Sequence, residues 1–316
     1  MIDLAHDPKA VAAELRRTRV QLEMLASLAR SEQDFDEPAP QQSDPTFPVS
    51  WLGMRLGLSP TEQRMLWTLI AHELCATSRR WIRELNTEQV ADVTVDALRR
   101  AVFGSAPSAK AWRELSAEGT LRQLGLVERT DGPADAPEHR QTVKVARRVL
   151  ALVHGDVGLD ADLASFASID ETTLELDQLE ASPEAIRVLE LALRSTDLVI
   201  LKGGAGTGRR SLLAALARAN GQRLLAIDGR AIARDSDRAA RQLRLVAREC
   251  ALFGLVPLIE YVDALGGAGD VPDRLDLIES ELAGLALATT TTAMTRRWSR
   301  SPRLVELPAL TGAQRA

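Results

Sequence analysis

The chain has 316 residues, 45% hydrophobic and 26% charged, with a formal net charge of −5. That length accommodates two domains with cores of their own, and the acidic balance argues against a protein that coats nucleic acid non-specifically. Cys75 and Cys250 lie far apart, which argues against a disulfide framework or a zinc site. The N-terminus has no signal-peptide pattern and no apolar run reaches about 20 residues, so the sequence reads as cytoplasmic, with no membrane contact.

Val11, Leu15, Leu22, Leu25 and Leu28 share roughly one helical face, so residues 1–30 read as an N-terminal helix that packs on the body or on a partner. Residues 31–50 are rich in proline and acid, with Pro38, Pro40, Pro45 and Pro48, and read as a linker. Ser59-Pro60-Thr61-Glu62 is a helix start: serine cap, proline at the first position, glutamate three after the cap. Helices are expected over QRMLWTLIAHEL, ATSRRWIREL, TVDALRRAVFG and SAKAWRELSAEG. A strand within LRQLGLVERTD, a turn over GPADAPEHR and a strand-like run QTVKVARRVLALVHG follow. Helices followed by a hairpin outline a winged helix over 51–170.

The pattern changes over 171–316. LVILKG, RLLAID, LVPLIEY, LALATTT and RLVELPAL are short apolar runs, the first four separated by helix-like stretches. Such alternation implies a parallel sheet with helices on both faces, and ligands bind beyond the carboxyl ends of its strands. Pro257 is awkward inside its strand because it removes a ladder donor.

Gly203-Gly204-Ala205-Gly206-Thr207-Gly208 follows the first of these strands and precedes a helix, the setting of a phosphate-binding loop. A Gly-x-Gly-x-x-Gly dinucleotide fingerprint fits poorly, since Arg209 takes the third glycine; a glycine-rich turn without a ligand is the bland alternative. The usual lysine and hydroxyl are replaced by Arg209 and Arg210. Ser211 arrives one residue late, which turns it about 100° around the helix. As a magnesium ligand Ser211 would need a rebuilt loop, so magnesium-dependent hydrolysis is expected to be impaired. Glu260 falls where a magnesium-facing acid belongs, Tyr261 takes the place of a water-activating acid, and Asp263 lies nearby. The Thr289–Thr292 run, Thr290 among it, could bring a hydroxyl to a terminal phosphate or serve only as strand formers. Arg296, Arg297, Arg300 and Arg303 cluster between the last two strands, one of them as an arginine finger or all as a solvated or subunit-facing surface.

With these residues in view, the chain resembles an AAA+ ATPase. GGAGTGRRSLLAALA is similar to a Walker A region, LVPLIEYVDAL takes the Walker B place and LALATTT the sensor-1 strand. LGLSPTEQRMLWTLIAHEL and LRQLGLVERTDG resemble the N-terminal region of a bacterial branch. Its members carry a helical and winged-helix domain and are often found with phage-tail-like contractile injection systems. The resemblance implies a five-stranded parallel αβα sandwich, ATP or ADP with Mg²⁺ as ligands, a ring-forming assembly and remodelling of a protein complex. The Lys-Thr and Asp-Glu pairs are missing and the chain stops at LPALTGAQRA, before a helical lid. Either the chain is a fragment or the motor domain is truncated; members of this branch can carry two ATPase domains, the first degenerate, and the chain resembles such a first half.

Three functions follow. The first is an AAA+-like ATP- or ADP-binding module with weak or no hydrolysis that works through protein partners. The second is an active ATPase with a shifted loop, using Arg210, Ser211 and Glu260. The third is a DNA-binding regulator that uses Arg113, Arg122, Arg129 and Arg140, against which stand Glu114, Glu118, Glu128 and Glu138.

Overall fold

A computed structural model describes residues 8–31, 48–86, 90, 92–104, 113–116, 118–130, 137–179, 181–193, 198–204, 206–266, 274–282, 284–292, 298 and 302–307. Two compact units divide it, Met1–Gly158 and Leu159–Ala316.

In the first unit α1 (Pro8–Ser31) packs against α3 (Pro60–Leu74) and α4 (Ala76–Leu85), burying Val11 and Leu22. Of the expected linker, residues 32–47 lie outside the described residues, and its last residues begin α2 (Pro48–Leu56). Helix α3 starts as the sequence reading expected. Ser59 Oγ accepts from the Glu62 N–H at 3.1 Å and Glu62 Oε2 accepts from the Ser59 N–H at 2.8 Å. Helices α5 (Val95–Phe103) and α6 (Thr120–Gln123) follow; residues 108–112 and 117 of the expected fourth helix lie outside the described residues. Strands β1 (Val93–Thr94), β2 (Val127–Arg129) and β3 (Thr142–Val145) pair antiparallel in the order β1-β3-β2.

One expected strand is half helix. QTVKVARRVLALVHG forms β3 only to Val145, and α7 (Arg147–Val153) takes the rest. Val149, Leu152 and Val153 are buried on one side, a helical spacing that the apolar run concealed.

In the second unit the expected strands are β5 (Leu198–Lys202), β6 (Arg223–Asp228), β7 (Leu255–Glu260), β8 (Ala286–Thr290) and β9 (Arg303–Glu306). The sheet has six strands, not five. β4 (Ala167–Ile169) pairs antiparallel with β6 and closes that edge, in the order β4-β6-β7-β8-β5-β9. The sequence reading had placed these residues with the first unit. Pro257 stands in the β6–β7 ladder opposite Leu225, and the β7–β8 ladder begins at the next residue, with Leu258↔Leu287 and Ile259↔Ala288.

Alternation along β5 sends Val199 and Leu201 into a core with α8 (Pro183–Leu193) and α9 (Arg209–Ala219), through Leu189, Leu212, Leu213 and Leu216. Leu198 and Ile200 point to the other face, against α10 (Ser236–Phe253) and α11 (Leu275–Glu281), through Leu243, Val246 and Ile278. Each fully buried leucine or isoleucine contributes about 1.5–3 kcal/mol, so both layers are held by hydrophobic burial. The chain leaves β5 toward β6 on one side and returns from β8 to β9 on the other. The strand order therefore reverses beside β5, and the glycine loop lies at that reversal, beyond the strand ends.

Candidate functional site

The loop is built from backbone. Gly203 is buried, its N–H donates to the Thr290 carbonyl at 3.2 Å, and a Cβ there would sit 2.8 Å from Thr207 Oγ1. Thr207 is buried and its hydroxyl donates to the Gly204 carbonyl at 2.9 Å, closing the loop on itself. Gly206 and Gly208 have φ of +78° and +71°, which glycine adopts without the steric cost a side chain adds. No atom lies within 4 Å of a Cβ built on either, so the space beside them is open. Gly208 is the N-cap of α9 and supplies no side-chain acceptor, which leaves the first-turn N–H groups and the positive helix end for an anion. Ala205 lies outside the described residues.

The two arginines turn in different directions. Arg209 Nη1 donates to the Thr290 carbonyl, at the end of β8. Arg210 lies between two carboxylates: Nε donates to Asp170 Oδ2 at 2.5 Å and Nη1 to Glu260 Oε2 at 3.0 Å. The Asp170 side chain is 3% exposed, Glu260 22% and Arg210 40%. Burial pushes the Asp170 carboxyl up, but hydrogen bonds from Thr172 and Arg210 outweigh it and hold the group below the usual carboxylate range. For Arg210 burial acts downward and the bonds to Asp170 and Glu260 prevail, so its pKa is raised. Ser211 follows in α9, half-buried. Further along that helix, Arg218 donates to the carbonyls of Thr172 at 3.3 Å and Leu174 at 2.7 Å.

At the end of β7 the backbone turns sharply. Tyr261 has φ 53° and ψ 48°, a left-handed conformation uncommon for an aromatic residue. Gly229 comes close: its N–H donates to the Glu260 carbonyl at 2.9 Å, and a Cβ would sit 2.7 Å from that oxygen. Arg230 lies over the Tyr261 ring, 3.9 Å from its centroid, and forks onto Asp228 through Nε and Nη2, both at 2.9 Å. Those bonds, with burial opposing, hold the Asp228 carboxyl below its usual range. Buried Arg274 ties this region together by donating to the carbonyls of Ala233 at 2.7 Å and Ala264 at 2.8 Å.

Glu260 is therefore brought to the glycine loop through Arg210. Asp263 and Thr290 are brought to each other instead: the buried Thr290 hydroxyl lies 3.0 Å from Asp263 Oδ1 and accepts from the Thr292 N–H at 3.1 Å. Arg303 opens β9, whereas Arg296, Arg297 and Arg300 lie outside the described residues. Asp170, Asp228 and Arg230 escaped the sequence reading. Asp228 carried a signal, an acid at the carboxyl end of a parallel strand; Asp170 carried none, because its role depends on the register of β4.

Among the described residues no group of three or more His, Cys, Asp or Glu is placed to hold a metal ion. No helix among them is long and apolar enough to cross a membrane.

A family model described as "Winged helix domain, variant" matches residues 9–167, half of the chain. No curated protein matches. A solved structure described as "Structural Basis for Katanin Self-Assembly" is similar at 19% identity and a TM-score of 0.34, covering 43% of this chain and 53% of that one. The chain thus spans about half the length of that structure's chain, and so slight a likeness carries no argument.

Proposed function

The chain belongs to the winged helix domain, variant, family, and on that premise we propose that its second unit is an AAA+-like module that binds ATP or ADP, hydrolyses it weakly or not at all, and works through protein partners. The partners would be the components of a protein complex that it helps to assemble or remodel, a contractile injection system being the example the sequence resemblance suggests. Self-association into a ring belongs to the same reading. Support comes from the strand–loop–helix setting at the strand-order reversal, with open space beside Gly206 and Gly208 and free N–H groups at the start of α9.

The observation that carries the reading is the Arg210 bridge. Hydrolysis of this kind needs a hydroxyl and an acid around a divalent cation, and a free carboxylate to activate water. Here a guanidinium occupies the space between Asp170 and Glu260, a place that does not suit a second cation. Glu260 is engaged, and Tyr261 supplies no carboxylate. What remains is binding: backbone N–H groups of the loop and the first turn of α9 hold phosphate oxygens, while Arg210 keeps Glu260 from repelling them. Arg209 holds the end of β8 beside the loop. Phosphate release from ATP by the full chain tests this. Turnover below about 0.1 s⁻¹ is expected, against the 1 s⁻¹ or more of ordinary enzymes, together with measurable ADP binding; turnover at ordinary enzymatic rates contradicts it.

A further inference from the structure

A cleft of about 450 Å³, bordered by Arg210, opens between the segment 164–168 and the ends of β6 and β7. Its walls are fixed. The Asp228 N–H donates to the Phe166 carbonyl at 2.8 Å, Gly229 is pressed against the Glu260 carbonyl, and Tyr261 is held in its left-handed turn. Backbone held in so sparsely populated a region persists only where its surroundings enforce it, and such positions cluster at ligand sites.

Two arginine forks reach this cleft, and two of the carboxylates that hold them, Asp228 and Glu260, line it as well. Arg210 spends Nε and Nη1 on Asp170 and Glu260; Arg230 spends Nε and Nη2 on Asp228. A guanidinium has five N–H donors, so Nη2 of Arg210 and Nη1 of Arg230 are left to face a ligand. The hydroxyl-bearing residues Ser165 and Ser168 are exposed in the same lining. The two guanidiniums are matched by three carboxylates, Asp170, Glu260 and Asp228, so the cleft offers an anion no net positive field and selects by hydrogen-bond direction. One face of the Arg230 guanidinium lies on the Tyr261 ring, and that side chain is 58% exposed, which offers its other face as a stacking platform.

We propose that this cleft is a second binding site, separate from the glycine loop, for a small phosphomonoester that carries a flat ring. The tetrahedral phosphate accepts from both forks and a seryl hydroxyl at once, where a planar carboxylate would be satisfied by a single fork. The ring stacks on the open face of Arg230. The site does not depend on the reading of the loop, whose glycines are not among its walls, although Arg210, Glu260 and Tyr261 enter both.

The probe is AMP, which lacks the further phosphates of the loop's ligands, titrated by calorimetry into the full chain beside adenosine and inorganic phosphate. AMP is expected to bind about tenfold tighter than either part, and Arg230→Ala to weaken it about tenfold, the scale of one charge-assisted hydrogen bond. Ser165→Ala with Ser168→Ala is expected to weaken it several-fold, while Gly206→Val leaves AMP unchanged and weakens ADP. AMP no tighter than its parts, or equally tight in Arg230→Ala, overturns the proposal. Loss of AMP in Gly206→Val with retention in Arg230→Ala also overturns it and leaves the loop reading standing.

Discussion

Arg210 is where sequence and chemistry meet most closely. A guanidinium does not lose its proton in proteins and cannot dissociate from its own backbone, so the charge between Asp170 and Glu260 is permanent in a way that a metal ion's is not. Removing one partner of a fully buried pair costs about 3–5 kcal/mol, but Arg210 is 40% exposed, so Arg210→Ala should destabilise the second unit by about 1–2 kcal/mol. Urea unfolding reads that loss, and adding Asp170→Asn should recover part of it. The pH dependence follows from the lowered pKa of Asp170. Its contribution is fully present above the unfolded value of about pH 4 and is lost as pH falls through the lower folded value. Urea midpoints measured below about pH 4 should therefore fall less steeply in Asp170→Asn than in the parent chain. The doubled arginine was legible as a departure from the usual pair. Its partner Asp170 was not, because no local pattern announces a contact between the end of one strand and a helix beyond the next.

At the scale of elements, two glycines separate crowding from backbone conformation. Gly206 stands in open space with φ +78°, so Gly206→Ala meets only the left-handed penalty, about 1–2 kcal/mol. Gly229→Ala would press a methyl group against the Glu260 and Tyr261 carbonyls at 2.7 and 2.9 Å, and should cost more and shift the melting temperature further. Thermal melts of the two variants side by side check the order. Elements with complete local signals were readable: α3 from its capping box, and β5 to β9 from their apolar runs. β4 was missed because three residues, Ala167–Ile169, are too few to show alternation. α7 was missed because a continuous apolar run reads equally as strand or helix.

For the whole molecule, the two units are built differently: a winged-helix region of a known family, and a sheet with helices on both faces that presents a glycine loop at its strand-order reversal. The fold class was legible because hydrophobic periodicity sets layers. The chemistry was legible only as losses, since what fills the place of a cation is decided by tertiary contacts. In the proposed function the chain's own guanidinium stands where a metal would be needed, so that nucleotide binds without one. ADP titrated into the full chain in excess Mg²⁺, and again in a chelator, tests this most directly. Dissociation constants equal within about twofold are expected, well under the 1.4 kcal/mol of a tenfold change. Binding that tightens tenfold or more with Mg²⁺ would contradict it.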